Sequence, residues 1–309
     1  MASSRSKLRL QVPAKVNPQI RVGPLQEDGY HDITLAYQAI SLYDVLTVSS
    51  DPHGPSIEVS GMDCDRVPAT DQNLVIKAAA LLAKYVSIEP TVHFELVKAI
   101  PAEAGLGGGS ADAAAALVGC NMLWKSNVSD EDLMHLGAYI GEDVPFFIKG
   151  MMAIGLGHKQ PLRSLGTGDH TWIWVLGVPF RGLSTKAVFQ EYDNCLAERK
   201  SGQEDYLSKR QGCLEVPWGN APGSLRGALV NDLEQPSARL LPDITTALDA
   251  GRSVGAFASL MSGSGSTCAF LARDEDHARH MQAEFQRMQL FREVCIAFGP
   301  VPGVTIMKD

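Results

Sequence analysis

The sequence predicts an α+β protein of two domains, on three observations. Its 309 residues suffice for about two domains. Strand-like and helix-like segments are mixed without the regular βαβ alternation of a doubly wound sheet. The pattern restarts after about residue 165, dividing the chain into 1–165 and 166–309.

Residues 8–23 alternate as strands do. Pro18 has no N–H for a ladder, so it calls for an edge position or a bulge there. EDGYH (27–31) is a turn signal, 33–50 reads as two strands, and 56–61 reads as another. The apolar spacing of 72–86 fits a helix with Asn73 near its start. Residues 91–100 form a strand leading into the glycine-rich stretch PAEAGLGGGSADAAAAL (101–117). A helix is expected from Ser110, a good N-cap residue, to about Trp124. A second helix covers 129–141, capped by Ser129 and followed by Gly141 as its C′ residue. Residues 142–157 begin as a loop and continue as a strand.

In the second half, 172–178 is a buried strand. Helices are expected over 184–198, parts of 203–214 and 224–240, and 242–250. Residues 258–272 read as strand, tight Ser/Gly loop, strand; 274–288 is an amphipathic helix; 293–299 and 303–309 are closing strands.

Composition narrows the function classes. An apolar fraction of 45% with 20% charged residues is that of a soluble globular protein. The net charge of −8 argues against a nucleic-acid partner. No apolar run approaches the roughly 20 residues that span a bilayer, so no membrane partner is expected. The basic N-terminus MASSRSKLRLQV lacks the apolar core of a signal peptide. Six scattered cysteines without a C-x-x-C pair read as reduced thiols of a cytoplasmic protein. The histidines lack zinc spacing, so no metal held by protein side chains alone is expected.

Four motifs could carry chemistry. Four of the five residues Gly105–Gly109 are glycine, followed by Ser110 and an alanine-rich helix. Free N–H groups and the positive helix end there suit a phosphate, although an ordinary loop before a tightly packed helix reads equally well. The loop is not a Walker A loop, because G-x-x-x-x-G-K-[ST] is absent, and it fits a dinucleotide fingerprint poorly. In PAKVN (13–17), Lys15 interrupts an apolar strand with Asn17 on the same face. Lys15 is either an edge residue reaching water or a cation aimed into a cleft. In GEDVPFF (141–147), Asp143 is either a solvated loop carboxylate or a carboxylate held in a cleft. As an acidic residue near a helix C-terminus it opposes the dipole. MSGSGST (261–267) is either an anion-binding nest or a tight turn.

These pieces occur together in one order, with EDGYH, QNLV (72–75) and NDLE (231–234) between them. In that respect the chain resembles the GHMP kinases over nearly its whole length. DGYH is the signal at subfamily level; the glycine loop marks the wider group. The resemblance implies an N-terminal domain like the second domain of ribosomal protein S5 and a C-terminal domain of ferredoxin-like type. It implies that ATP, with Mg²⁺ on its phosphates, meets a small-molecule substrate in the cleft between them. The resemblance further implies that this substrate is a cytidine-diphosphate-linked methylerythritol whose 2-hydroxyl would take the γ-phosphate, in the non-mevalonate isoprenoid route. A monomer or homodimer is compatible with it. Another kinase of the superfamily, or a catalytically silent nucleotide-binding member, are the rival readings.

The resemblance also distributes roles. Asp143 accepts or orients the proton of the attacking hydroxyl, and Lys15 holds Asp143 ionised and stabilises developing alkoxide charge. Pro101, Gly105, Leu106, Gly107, Gly108, Gly109, Ser110 and Ala111 cradle the ATP phosphates, with Asn73 near the adenosine. Asn17, Tyr30 and His31 line the substrate pocket, with Phe189 as the second slice of a cytosine sandwich. Gly263, Ser264 and Gly265 close the cleft from the C-terminal domain. Three departures stand out: Pro18 replaces an aliphatic residue, Leu25 and Gln26 stand where an arginine often precedes DGYH, and GLGHKQ (155–160) lacks a glutamate.

Overall fold

The computed structural model describes residues 7–27, 29–157, 161–165, 170–199, 216–218 and 220–308. The first half runs β1 (Lys7–Leu25), β2 (His31–Ser50), β3 (Ser56–Gly61), α1 (Leu74–Tyr85), β4 (Val92–Lys98), α2 (Gly108–Leu123), α3 (Asp130–Ile140), α4 (Val144–Lys149), β5 (Met152–Leu156) and β6 (Arg163–Ser164). The second half runs β7 (Trp172–Val178), α5 (Thr185–Arg199), β8 (Val230–Asn231), α6 (Glu234–Leu240), α7 (Asp243–Ser253), β9 (Ala258–Met261), β10 (Cys268–Leu271), α8 (Glu275–Met288), β11 (Glu293–Gly299) and β12 (Thr305–Ile306).

The first sheet has the order β12-β1-β2-β4-β3, with β5 on β2, β6 on β5 and β8 on β1. Residues 33–50, expected as two strands, lie in one long strand. Its first side pairs with β1 throughout, while the other side takes β5 over 34–38 and β4 over 45–50. Pro18 falls where the β1–β2 register shifts between Val16 and Gln19, so a bulge absorbs its missing donor. The second sheet is antiparallel, ordered β11-β7-β10-β9. Residues of the second half also extend the first sheet, since β8 and β12 both pair with β1.

Helix α2 packs on β1 and β2, and its alanines at 111 and 113–116 are fully buried. Small side chains let the helix axis approach the sheet closely: a Cβ on Gly119 would lie 2.7 Å from Val48 Cγ2. The apolar core divides in two. One part surrounds α2 and the first sheet, and the other gathers Phe270, Phe285 and Phe291 behind the second sheet.

Four local expectations need correction. Helix α2 begins at Gly108 rather than Ser110, with Gly107 at φ 77 as its N-cap. A Cβ at Gly107 would lie 2.5 Å from the Phe147 ring, so the chain turns at this glycine and Ser110 falls inside the first turn. Residues 144–149, expected as loop, form the short helix α4 with Asp143 at its N-cap position. Asp143 therefore also stands at the favourable end of a helix dipole, without a side-chain cap hydrogen bond. Gly141 ends α3 in extended conformation (φ −175) rather than left-handed, sending the chain straight to Asp143. The expected helix within 224–240 resolves into a 3-10 turn over Pro222–Ala228, strand β8 and helix α6. The helix expected over 203–214, and residues 158–160 of GLGHKQ, lie outside the described residues.

Candidate active site

Lys15 sits in the middle of β1 and is only 4% exposed. Its Nζ donates to Asn17 Oδ1, and Asn17 Nδ2 donates to Ala36 O at 3.1 Å on β2. The asparagine thus fixes the lysine's direction. Burial pushes the Lys15 ammonium below the usual lysine range, and the nearby carboxylate of Asp143 pulls it back up. Among the described residues Lys15 and Asp143 make no direct ion pair, so they interact across a gap.

The glycine loop lies against this lysine. The Lys15 backbone N–H donates to Leu106 O at 3.0 Å, and a Cβ at Gly107 would lie 3.1 Å from Lys15 Cγ. From the second half, Gly263 approaches the same side chain: a Cβ there would lie 3.1 Å from Lys15 Nζ. Gly105 (φ 76) meets the 262–265 turn so closely that a Cβ would lie 2.4 Å from Ser262 O. Ser262 Oγ donates to Gly105 O at 3.1 Å, and Thr267 N–H donates to Ala104 O at 3.3 Å. Gly263 and Gly265 both take positive φ in this turn, as its tight path requires. Ser264 Oγ shares a hydrogen bond with Thr185 Oγ1 at 2.8 Å.

Asp143 is half-buried, and its Oδ1 accepts from Tyr37 Oη at 2.8 Å. Burial and the Asp143 charge push the Tyr37 phenol well above its usual range, so it remains a donor. The Tyr37 ring stacks on Phe146 of α4 at 4.8 Å, which fixes both partners. Ser110, at the other side of the loop, points toward the same segment. Its Oγ is 3.6 Å from where a Gly141 Cβ would stand. Gly108 and Ala111 are buried in the first turn of α2, whereas Gly109 is exposed.

The structure therefore brings Lys15, Asn17, Gly105–Ser110 and Gly263–Gly265 into one cluster, with Asp143 in electrostatic reach. Pro101 is buried at the upstream end of the loop. Asn73 caps α1: its Oδ1 accepts from Val75 N–H at 2.9 Å and its Nδ2 donates to Pro68 O at 2.7 Å. The next residue, Leu74, reaches Gly109, placing Asn73 beside the loop.

A second cluster forms at the start of β2. His31 Nδ1 bonds Gly23 O at 2.7 Å, its Nε2 lies 3.2 Å from Asp193 Oδ1, and its ring stacks on Phe189 at 5.4 Å. Tyr30 is 56% exposed beside it. His31 and Tyr37 are six residues apart on β2, about 20 Å of strand, so the clusters mark two ends of one path.

Sequence reasoning missed several supporting groups. Tyr37 gave no signal. Lys98 and Asp44 are charged residues in apolar strands, a pattern break that could have been read. Lys98 Nζ bonds Asp44, and lies 2.7 Å from Asp112 Oδ2, all three buried beneath the glycine loop. Asp44 Oδ1 also accepts from the Ala99 and Ile100 N–H groups at 2.6 and 2.8 Å. The NDLE motif buttresses the 262–265 turn. Asn231 Nδ2 donates to Met261 O and Gly263 O at 2.7 and 2.8 Å, and Glu234 Oε1 accepts from Met261 N–H at 3.0 Å.

Comparison with known proteins gives a consistent result. The family model described as GHMP kinases N terminal domain matches residues 73–151, and that described as GHMP kinases C terminal matches 221–289. A 4-diphosphocytidyl-2-C-methyl-D-erythritol kinase of Thermobifida fusca is 42% identical over 309 residues, covering 98% of this chain and 99% of that protein. The protein of the same name from Nocardia farcinica is 40% identical over 302 residues, covering 98% and 97%. Among solved structures, a 4-(cytidine 5'-diphospho)-2C-methyl-D-erythritol kinase superposes with a TM-score of 0.71 at 29% identity, over 94% of this chain and 98% of that one. A homoserine kinase from Cytophaga hutchinsonii gives a TM-score of 0.78 over 99% of both chains, but at 16% identity it speaks to fold alone.

Proposed function

The chain belongs to the GHMP kinases, and from that premise we propose that it transfers the γ-phosphate of ATP to the 2-hydroxyl of 4-diphosphocytidyl-2-C-methyl-D-erythritol. The reaction is a step of the non-mevalonate route to isoprenoid precursors. The observation that carries the site assignment is the convergence of Lys15, the glycine loop and Gly263 on one point within electrostatic reach of Asp143.

In this reading the ATP phosphates lie over the N-terminus of α2, where loop amides and the helix dipole meet. Asp143 orients the substrate hydroxyl and receives its proton as the P–O bond forms. A hydroxyl is far too weak an acid to ionise beforehand, so proton movement accompanies a loose phosphoryl transfer. Tyr37, bonded to one carboxylate oxygen, leaves the other for the substrate. The Lys15 ammonium lies between loop and turn and stabilises charge developing on the transferred group. Asn17 acts through Lys15, because its amide is engaged by Lys15 and Ala36.

The donor set fits Mg²⁺ carried by the nucleotide. Among the described residues no group of three or more His, Cys, Asp or Glu forms a metal cage. The Ser110 hydroxyl would supply a hard oxygen ligand to a cation brought in on the nucleotide. When bound, Mg²⁺ offsets the charge of the triphosphate. At the other end of the path, His31, Phe189 and Tyr30 hold the cytosine, a flat ring with a polar edge. The protein acts in the cytoplasm, and as a monomer or homodimer.

A coupled ADP-release assay tests this function, with the cytidine-diphospho-methylerythritol compound run beside homoserine, mevalonate and galactose. Turnover confined to the first supports the reading; preference for any other overturns it. The catalytic assignment is tested by Asp143→Asn. It should lower kcat by about 100- to 1,000-fold, on the scale of a single electrostatic catalyst. A folded variant at wild-type rate removes Asp143 from the chemistry.

A further inference from the structure

The upstream end of the phosphate loop is held by an ion pair that joins the two halves of the chain. Asp63 follows β3 in a left-handed turn (φ 51), a conformation uncommon for a residue with a side chain. Its neighbours pin it to the end of β4. Met62 N–H donates to Lys98 O at 2.9 Å, and Gly61 presses so close that a Cβ would lie 2.3 Å from that oxygen. Arg292 comes from the connection between α8 and β11. Its own N–H donates to Val178 O at 2.9 Å, which fixes it to the second sheet.

The two side chains meet in a bidentate pair, Nη1 to Oδ1 at 2.7 Å and Nη2 to Oδ2 at 2.5 Å. The Asp63 side chain is 10% exposed and that of Arg292 25%. Asp63 Oδ2 has a further partner: it accepts from the Ala102 backbone N–H at 3.1 Å. Ala102 lies between buried Pro101 and the glycines. Arg66 adds positive charge near Asp63, and Glu293 negative charge near Arg292, without the two-bond fork.

We propose that Arg292 is a positioning residue for ATP: acting through Asp63, it fixes the Ala102 amide and with it the start of the phosphate loop. The second half then holds the loop at two points. The Ser262–Thr267 turn holds Ala104 and Gly105, and the Arg292–Asp63 fork holds Ala102. Phosphate amides must be aimed to within a fraction of an ångström to be effective, so a loop fixed at one end only loses ATP affinity. The cytosine cluster at His31 has no part in this brace.

This inference rests on the kinase reading, and its test separates the two. Kinetics are measured for Arg292→Met, Arg292→Lys and Asp63→Asn, with binding of a non-hydrolysable ATP analogue measured by calorimetry on the same full-length proteins. Arg292→Met and Asp63→Asn should raise both KM for ATP and Kd for the analogue about tenfold. KM for the cytidine substrate should stay within twofold. Arg292→Lys, which keeps the cation but not the fork, should recover to within about threefold of wild type. If Arg292→Met does not fold, Asp63→Asn must still show the selective rise in Kd, with Arg292→Lys staying within about threefold of wild type. Folded variants with unchanged Kd, or with both KM values rising together, overturn the proposal. A wild type that binds the analogue but never releases ADP sinks the kinase reading and leaves the binding test of the brace standing.

Discussion

Lys15 and Lys98 are both 4% exposed, both on strands of the same sheet and both beside the glycine loop, yet they are held in opposite ways. Lys98 lies between two carboxylates in direct contact, Asp44 and Asp112, and their charge raises its affinity for a proton. Lys15 has a neutral amide at its tip, and burial lowers its affinity for a proton. A buried cation with matched anions is a structural tie. One left without a contact anion is destabilising by itself and belongs where an anionic ligand completes it. The difference supports the proposal that Lys15 is the lysine that meets phosphate.

The comparison breaks first at Lys98. Lys98→Met leaves Asp44 and Asp112 buried without their cation and should cost about 3–5 kcal/mol, read as a lower urea midpoint. A midpoint equal to wild type would make Lys98 no tie at all. The two carboxylates should then differ. Burial pushes the Asp112 carboxyl well above its usual range, and its Oδ1 has no hydrogen-bond partner among the described residues. Burial favours its protonated form and the Lys98 charge opposes it, so Asp112→Asn should change stability by less than about 1 kcal/mol at low pH, where the carboxyl holds its proton. Asp44→Asn, which disturbs the bond to Lys98 and two backbone donors, should cost about 2–3 kcal/mol.

A raised folded-state pKa at Asp112 means that its contribution is fully present below the unfolded value. It is lost as pH rises through the folded one. Asp112→Asn should therefore become more stable than wild type as pH increases from acid toward neutral, in parallel denaturation curves. Equal pH slopes would contradict a raised Asp112 pKa in the folded state. Near the other lysine, Tyr37→Phe should keep the stacked ring but lose the bond to Asp143. The expected cost is about 1.5 kcal/mol, roughly tenfold in kcat, with Tm unchanged. An unaltered rate would detach Tyr37 from the site.

Much of this was legible in the sequence, for identifiable reasons. The alanine helix, the Asn73 and Ser129 caps and the β9–β10 hairpin all follow from local rules, and the structure contains each. Local rules failed where tertiary contacts decide. Helix α2 starts at Gly108 because the Phe147 ring excludes a side chain at Gly107, and Phe147 is 40 residues away in sequence. β2 stays one strand because β4 and β5 share its second edge. In the site, PAKVN, the glycine loop and SGSGS announced themselves by composition. Tyr37 and the Arg292–Asp63 fork did not, because each is an ordinary residue made important by a partner 106 or 229 positions away.

The most direct test of the account is Lys15→Met, measured for both rate and stability. A lysine whose folded pKa is depressed has a destabilising charge below that pKa, and stability recovers as pH rises toward the unfolded value. Lys15→Met should therefore lose about 100- to 1,000-fold in kcat while its Tm at neutral pH equals or exceeds that of wild type. A variant with a lowered Tm and near-normal turnover would make Lys15 a structural tie like Lys98, and would contradict the account.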